Sequence, residues 1–166
     1  MKLYVMRHGP AEDVSTTGRD ADRALTSSGR DRVRSVAKAL EHAGESPRVI
    51  FTSPLVRALQ TAEIVAAVTQ ADVITRAELG TSAAPLPLLR SALSERRKRV
   101  MLVGHEPDLS ALVAHLVGRA PAQGMLKALV VGLALHFEDE AAGAFFARLR
   151  FVLDPKTLEL APDART

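Results

Sequence analysis

The chain has 166 residues and 17.8 kDa, a size for one domain, and it contains no cysteine, which excludes a disulfide scaffold, thiolate metal sites and a cysteine nucleophile. Lys and Arg number 22 against 19 Asp and Glu, for a net charge of +3, and the cations are mostly Arg, the better residue for planar, bidentate recognition of phosphate or carboxylate. Aromatic residues make up only 4%, which argues against a base-stacking nucleic-acid surface or an aromatic carbohydrate platform.

Lys2 to Met6 (KLYVM) is short, β-prone and almost wholly apolar, and reads as a buried strand rather than a signal peptide. It stops at the loop Arg7-His8-Gly9-Pro10. Residues 11 to 24 are polar and read as an exposed excursion. Thr26 is placed to cap a helix whose stripe is Val33, Val36, Ala37 and Leu40, ended by Gly44 and Pro47. Arg48 to Thr52 (RVIFT) is a second buried strand. Ser53 at N-cap and Pro54 at the first helical position then predict a helix with Leu55, Ala58, Leu59, Ala62 and Val65 on its apolar face. Val73 to Thr75 is a weaker strand, Pro85 and Pro87 mark a loop, and Leu88 to Glu95 predicts a short helix. Arg99 to Val103 (RVMLV) is the next strand, closed by Gly104. Asp108 is expected to cap a helix with the face Leu109, Leu112, Val113 and Leu116. Leu126 to His136 and Ala144 to Leu153 predict two strands around a turn at Asp139 to Gly143, and the last dozen residues are expected to form a loose tail.

Short apolar strands alternating with amphipathic helices predict an α/β fold over residues 1–166: a three-layer sandwich with a mostly parallel central sheet, an antiparallel edge and helices on both faces. Such sheets bind ligands beyond the carboxyl ends of their strands. The residues just past each strand are therefore informative: Arg7 and His8 after the first, Ser53 and then Arg57 after the second, His105 and Glu106 after the fourth. A histidine after a strand is often only a packed structural residue. Two of them at equivalent strand ends, each beside a glycine and accompanied by two arginines, compose a pocket for a doubly charged phosphoryl group. Histidine is also a competent nucleophile toward phosphorus, because a pKa of about 6.5 leaves a neutral nitrogen at pH 7. One His attacking while two Arg and a second His hold the oxygens would suffice for phosphoryl transfer by positioning and charge stabilisation. His42, His115 and His136 lie in helix or strand patterns and read as structural. No carboxylate or third His lies at metal-ligand spacing from His8 and His105, so no metal or other cofactor is expected.

Four ordered motifs carry a resemblance. Arg7-His8-Gly9, Leu25-Thr26-Ser27-Ser28-Gly29, the block Ser53-Pro54-Leu55-Val56-Arg57-Ala58-Leu59-Gln60-Thr61-Ala62, and Val103-Gly104-His105-Glu106-Pro107 are together similar to the signatures of the histidine phosphatase, or phosphoglycerate mutase-like, superfamily. The match spans roughly residues 2 to 117. The small size and the GHEPDLS block resemble its SixA-type phosphohistidine phosphatase branch, and Lys127, before an apolar strand, adds to this. The resemblance implies that His8 is the nucleophile and becomes phosphohistidine. It implies that Arg7 and Arg57 bind the phosphoryl oxygens, that His105 donates to the same oxygens, and that Arg23 lies near the pocket mouth. Larger members supply a carboxylic acid from mid-chain; Glu78 is the similarly placed carboxylate here, and Glu106 is next to the pocket. Phosphohistidine leaves as imidazole, which needs less acid assistance than an alkoxide.

The expected activity is a phosphatase using a covalent intermediate on His8, with a phosphohistidine-bearing protein as substrate, since so short a chain has little material for a lid. The alternatives are a phosphatase of small phosphoesters with Glu78 as general acid, and a phosphate-binding module that performs no chemistry. A mutase is disfavoured, because it needs that acid and a site closed to water. The run Arg96-Arg97-Lys98-Arg99 reads as a solvated helix end, so no nucleic-acid partner is expected. No run of about 18 apolar residues is present, so no membrane span is expected either, and the expected location is the cytoplasm.

Overall fold

The computed structural model describes residues 1–80, 89, 98–139 and 144–162. One sheet of seven strands runs through them in the order β3-β2-β4-β1-β5-β6-β7. The strands are β1 (Lys2–Arg7), β2 (Val49–Thr52), β3 (Asp72–Thr75), β4 (Arg99–Gly104), β5 (Val130–Asp139), β6 (Ala144–Leu153) and β7 (Leu160–Ala161). The first four pair in parallel; β5, β6 and β7 add an antiparallel edge beside β1.

The helices described over their whole length cover the sheet: α1 (Ser27–His42), α2 (Val56–Thr69) and α3 (Asp108–Val117). Alternate residues of a strand point to opposite faces, so β1 splits its side chains between two cores. Tyr4 and Met6, with Ile50, Met101 and Val103, meet Val33, Val36, Ala37 and Leu40 of α1 and Ala58, Ala62 and Val65 of α2. Leu3 and Val5, with Phe51 and Leu102, meet Leu109, Leu112 and Val113 of α3. Burial on both faces is why these strands read as unbroken apolar runs. The layers, the mainly parallel sheet and the antiparallel edge are as the sequence predicts.

The differences are local. Thr26 does cap α1, its hydroxyl accepting the Gly29 N–H at 2.9 Å. Ser53 does not cap α2: the helix begins at Val56 after Leu55, with no side-chain cap. Asp108 is the first residue of α3 rather than its cap, and the Glu106 carboxylate accepts the Ser110 N–H at 3.1 Å instead. Strand β5 starts at Val130 rather than Leu126. The preceding turn places Ala128 at φ 67°, where its N–H reaches the carbonyls of Arg7 and His8 at 3.2 and 3.1 Å. The C-terminal stretch is not wholly loose, because Leu160 and Ala161 pair with Leu153 and Val152. The excursion over residues 11 to 24 is largely exposed, but Ala11 bridges to Leu25 and Ser15 is buried. The predicted helix Leu88 to Glu95, the Pro85–Pro87 loop, Arg96 and Arg97, and most of the Asp139–Gly143 turn lie outside the described residues, Leu89 excepted.

Candidate active site

Register brings the site together. Arg7 at the end of β1 pairs with Gly104 at the end of β4, so the next residues, His8 and His105, leave the sheet side by side. Their ring centroids are 5.1 Å apart. On the other flank of β4, Thr52 pairs with Val103, which puts Ser53 at the same edge, and α2 then starts with Arg57 in its first turn.

His8 is buried and held from every side. Its Nδ1 lies 2.7 Å from the Gly9 carbonyl oxygen. A carbonyl only accepts, so Nδ1 carries the proton and Nε2 keeps the free lone pair. The His8 N–H donates to Gly104 O at 3.1 Å, and the Gly9 N–H donates to Thr61 Oγ1 at 3.0 Å. Thr61 in turn donates to the carbonyl of Arg57 at 2.7 Å, one turn earlier on α2. A side chain at Gly9 would come within 2.5 Å of Val33 Cγ2, so only glycine lets this loop lie against α1. Burial lowers the His8 pKa to about 3; the Gly9 carbonyl opposes this, while His105, Arg57 and Arg7 push the same way. His105 is lowered to about 4, by burial first and then by Arg57, with Asp20 opposing. Both rings are neutral at pH 7.

The arginines are oriented by oxygens. Arg57, only 6% exposed, donates from one terminal nitrogen to the Asp20 carbonyl at 2.9 Å and from the other to Asp20 Oδ2 at 3.1 Å. The opposite oxygen, Oδ1, accepts from Arg23 Nε at 2.9 Å, so one carboxylate spans two guanidinium groups. Burial raises the Asp20 pKa, but the bonds from Arg23 and Arg57 outweigh it and the net shift is downward. Arg7 donates to the Met125 carbonyl at 2.9 Å. Glu106 secures that neighbourhood: besides the Ser110 N–H it accepts the Ser110 hydroxyl at 2.5 Å and the Met125 N–H at 3.5 Å. His105 Nε2 lies 2.8 Å from Ser53 Oγ, which also accepts the Leu55 N–H at 3.2 Å.

Three buried side-chain polar atoms have no hydrogen-bond partner among the described residues: Arg7 Nε, Arg57 Nε and His105 Nδ1. All three belong to the cluster predicted from the sequence. Buried polar groups are normally satisfied, and unpaired guanidinium donors beside a free histidine lone pair fit an oxyanion. Among the described residues no group of three or more His, Asp or Glu is placed to hold a metal ion. Arg23 is brought to the cluster through Asp20. Glu78 is exposed, on the 3-10 turn Ala77–Leu79 whose following Gly80 packs against Ser53 and Pro54. His42 and His115 are exposed on helices, and His136 stacks on Phe146 at 4.9 Å; none joins the site. Sequence reasoning misses Asp20 and the role of Ser53. The only sequence signal for Ser53 is its place directly after a strand that neighbours the His105 strand.

Known proteins share this fold. The family model described as histidine phosphatase superfamily (branch 1) matches residues 3–80. The solved structure of the protein histidine phosphatase SixA complexed with tungstate superposes with a TM-score of 0.77 at 26% identity, over 96% of this chain and 100% of that one. The chain belongs to the histidine phosphatase superfamily. Its branch is the SixA type. A SixA-type structure from Agrobacterium tumefaciens agrees in fold, with a TM-score of 0.78, 24% identity and coverage of 93% of this chain and 97% of that one. A mycobacterial glucosyl-3-phosphoglycerate phosphatase shares the fold more distantly, with a TM-score of 0.69, 20% identity and coverage of 89% and 96%. An uncharacterized protein from Picosynechococcus sp. (strain ATCC 27264 / PCC 7002 / PR-6) is 40% identical over 116 residues, 66% of this chain and 68% of that protein. This member of the superfamily is a hydrolase with phosphatase activity, acting on a phosphorylated substrate. No helix among its described residues is long and apolar enough to cross a membrane.

Proposed function

We propose that the chain is a phosphohistidine phosphatase that works through a covalent phosphohistidine on its own His8. The observation that carries this is the pairing of a free Nε2 lone pair on His8 with the buried Nε–H groups of Arg7 and Arg57, which have no hydrogen-bond partner among the described residues. In the first step Nε2 attacks phosphorus, the bond to the substrate's leaving nitrogen breaks, and the leaving ring keeps the electron pair and departs as neutral imidazole, its other nitrogen already carrying a proton. The Arg7, Arg57 and His105 donors take the charge on the phosphoryl oxygens. In the second step water attacks phosphorus, the P–Nε2 bond breaks, and inorganic phosphate leaves with His8 neutral again. No resident metal or cofactor is part of this scheme, and the whole of residues 1–166 is read as one domain.

A protein-borne phosphohistidine is favoured by the carboxylates around the site. Asp20 is engaged as an ion with Arg57 and Arg23, and Glu106 is engaged with Ser110 and Met125. Neither is a free acid able to protonate an alkoxide, whereas imidazole leaves without one. Kinship to a solved protein histidine phosphatase, which covers 96% of this chain, points the same way. Arg23, held at the rim by Asp20, would meet the protein substrate. The second reading, small phosphoesters with Glu78 as acid, rests on the turn that carries Glu78 against Ser53 and Pro54.

The deciding experiment compares turnover of a phosphohistidine protein, p-nitrophenyl phosphate and sugar phosphates at equal enzyme concentration, with His8→Ala alongside. The expected result is preference for the phosphohistidine protein, acid-labile labelling of the wild type, and neither turnover nor labelling in His8→Ala. Labelling retained without His8 would sink the nucleophile. Preference for alcohol esters, lost in Glu78→Gln, would establish the second reading.

A further inference from the structure

Ser53 is fully buried at the end of β2, and its hydroxyl has two close polar neighbours. The Leu55 N–H donates to it at 3.2 Å, and His105 Nε2 lies 2.8 Å away. The Gly80 turn walls the same oxygen, since a side chain there would come within 3.1 Å of it. A hydroxyl has one proton to give. A neutral imidazole has one N–H, on either nitrogen.

The two tautomers of His105 differ sharply in this setting. With the proton on Nε2, the ring donates to a Ser53 oxygen that already accepts from Leu55. The serine proton is then left without an acceptor among these neighbours. Nδ1, the buried nitrogen without a partner, would face the phosphoryl oxygens as a lone pair and repel them. With the proton on Nδ1, the serine proton goes to Nε2, the Leu55 N–H keeps its acceptor, and Nδ1–H becomes a donor for the anion. Every group is satisfied in only the second arrangement.

We propose that Ser53 is a positioning residue that fixes His105 in its Nδ1-protonated tautomer, so that a neutral histidine serves as a hydrogen-bond donor to the transferring phosphoryl group. This rests on the reading of His105 as an oxygen-binding group. It assigns to the serine of the SPL block a role in catalysis that a helix cap would not have. Arg57, four residues later on the same segment, and Ser53 would then serve the same oxygens, one directly and one through His105.

The test is the long-range 1H–15N spectrum of the full-length, 15N-labelled protein at pH 7, with and without inorganic phosphate, together with steady-state kinetics on the phosphohistidine protein. The expected wild-type pattern is a protonated Nδ1 and an unprotonated Nε2 on His105. Ser53→Ala is expected to redistribute the proton toward Nε2 and to lower kcat between about tenfold and about 100-fold with little change in KM. A cap or packing role alone would change neither the ring nitrogens nor the kcat-to-KM split. A wild-type His105 protonated on Nε2 would overturn the proposal, and so would a Ser53→Ala protein with unchanged tautomer and kcat. The wild-type spectrum decides even if Ser53→Ala does not fold. A wild type that turns over no phosphorylated substrate would sink the proposed function instead, and leaves the tautomer measurement standing.

Discussion

Arg57 has five N–H donors and divides them between two tasks. Its two terminal nitrogens hold the Asp20 carbonyl and carboxylate, while Nε stays unsatisfied beside His8 and His105. A planar fork can do this and a lysine ammonium cannot, because the edge facing Asp20 fixes the direction of the other edge. Arg57→Lys should therefore lower kcat by about 100-fold or more, the scale seen when an oxyanion donor is lost; near-normal kcat would place the phosphoryl group elsewhere. Asp20→Asn keeps the shape but removes the charge that spans Arg57 and Arg23. It should raise KM and lower kcat by about tenfold, read in the same assay, and it should leave the melting temperature nearly unchanged because the Asp20 side chain is 66% exposed. The histidines make a third prediction. Burial, with Arg57 and Arg7 adding to it, holds His8 at about 3 and His105 at about 4, well below the usual 6.5. An NMR titration of the free enzyme should show both rings neutral from pH 8 down to 5; a transition near 6.5 would contradict the geometry.

Helix α2 is the element on which the site depends most. Arg57 and Thr61 are one turn apart and share a face, and Gln60 lies beside them. Arg57 reaches the pocket, Thr61 accepts the Gly9 N–H behind His8, and Gln60 Oε1 accepts the Leu25 N–H at 2.8 Å, anchoring the end of the excursion. Thr61→Val is nearly the same size and would orphan the Gly9 N–H inside the protein. It should cost about 2 kcal/mol in urea denaturation and lower kcat by displacing His8; equal stability would mean that the bond is replaced by another. These ties also separate the residues a sequence can disclose from those it cannot. The α1 stripe and the strands β1, β2 and β4 are legible because periodicity and runs of apolar residues are local signals. So are Arg7, His8, Arg57 and His105, since each ends or follows a strand or opens a helix. Asp20 is not, because a carboxylate in a polar excursion looks like any solvated charge until the chain folds it onto Arg57. Ser53 reads as a cap because serine before proline satisfies the local rule, and only the register of β2 against β4 sets it beside His105. Strand β7 escapes notice because two residues carry no period.

The sheet as a whole has two charged ends with different duties. Its parallel carboxyl ends carry the site, and the opposite end is tied by Glu45, a buried carboxylate between α1 and β2. Glu45 accepts from both terminal nitrogens of Arg150 at 2.7 Å, from Lys2 Nζ at 3.0 and 3.1 Å, and from the Tyr4 hydroxyl at 2.9 Å. Arg150 reaches it from a bulge, since Gly132 pairs with Phe151 and Leu133 with Leu149, leaving Arg150 as the extra residue that the bulge re-aims. Gly132 makes room for the Phe151 ring, which would lie 2.3 Å from any Cβ there. The node thus joins the first strand, the α1–β2 connection and the antiparallel edge, and its charge should set part of the acid stability of the molecule. Burial alone would raise the Glu45 pKa, but bonds from Arg150, Lys2 and Tyr4 bring it down to about 2, from 4.5 when unfolded. Between those values the unfolded chain binds the proton and the native one does not. This contribution is therefore complete above pH 4.5 and lost as pH falls toward 2. His8 and His105 work over a different window: neutral when folded and protonated when unfolded, they make stability fall from pH 6.5 downward, toward about 3 and 4. Glu45→Gln should cost about 2 kcal/mol at pH 7, discounted from a fully buried pair because Arg150 and Lys2 are partly exposed. Urea midpoints measured against pH should then show the decline from pH 6.5 to 4.5 preserved in Glu45→Gln and the decline below 4.5 flattened. A variant whose acid limb matches the wild type throughout would mean that the node holds no charge-dependent stability.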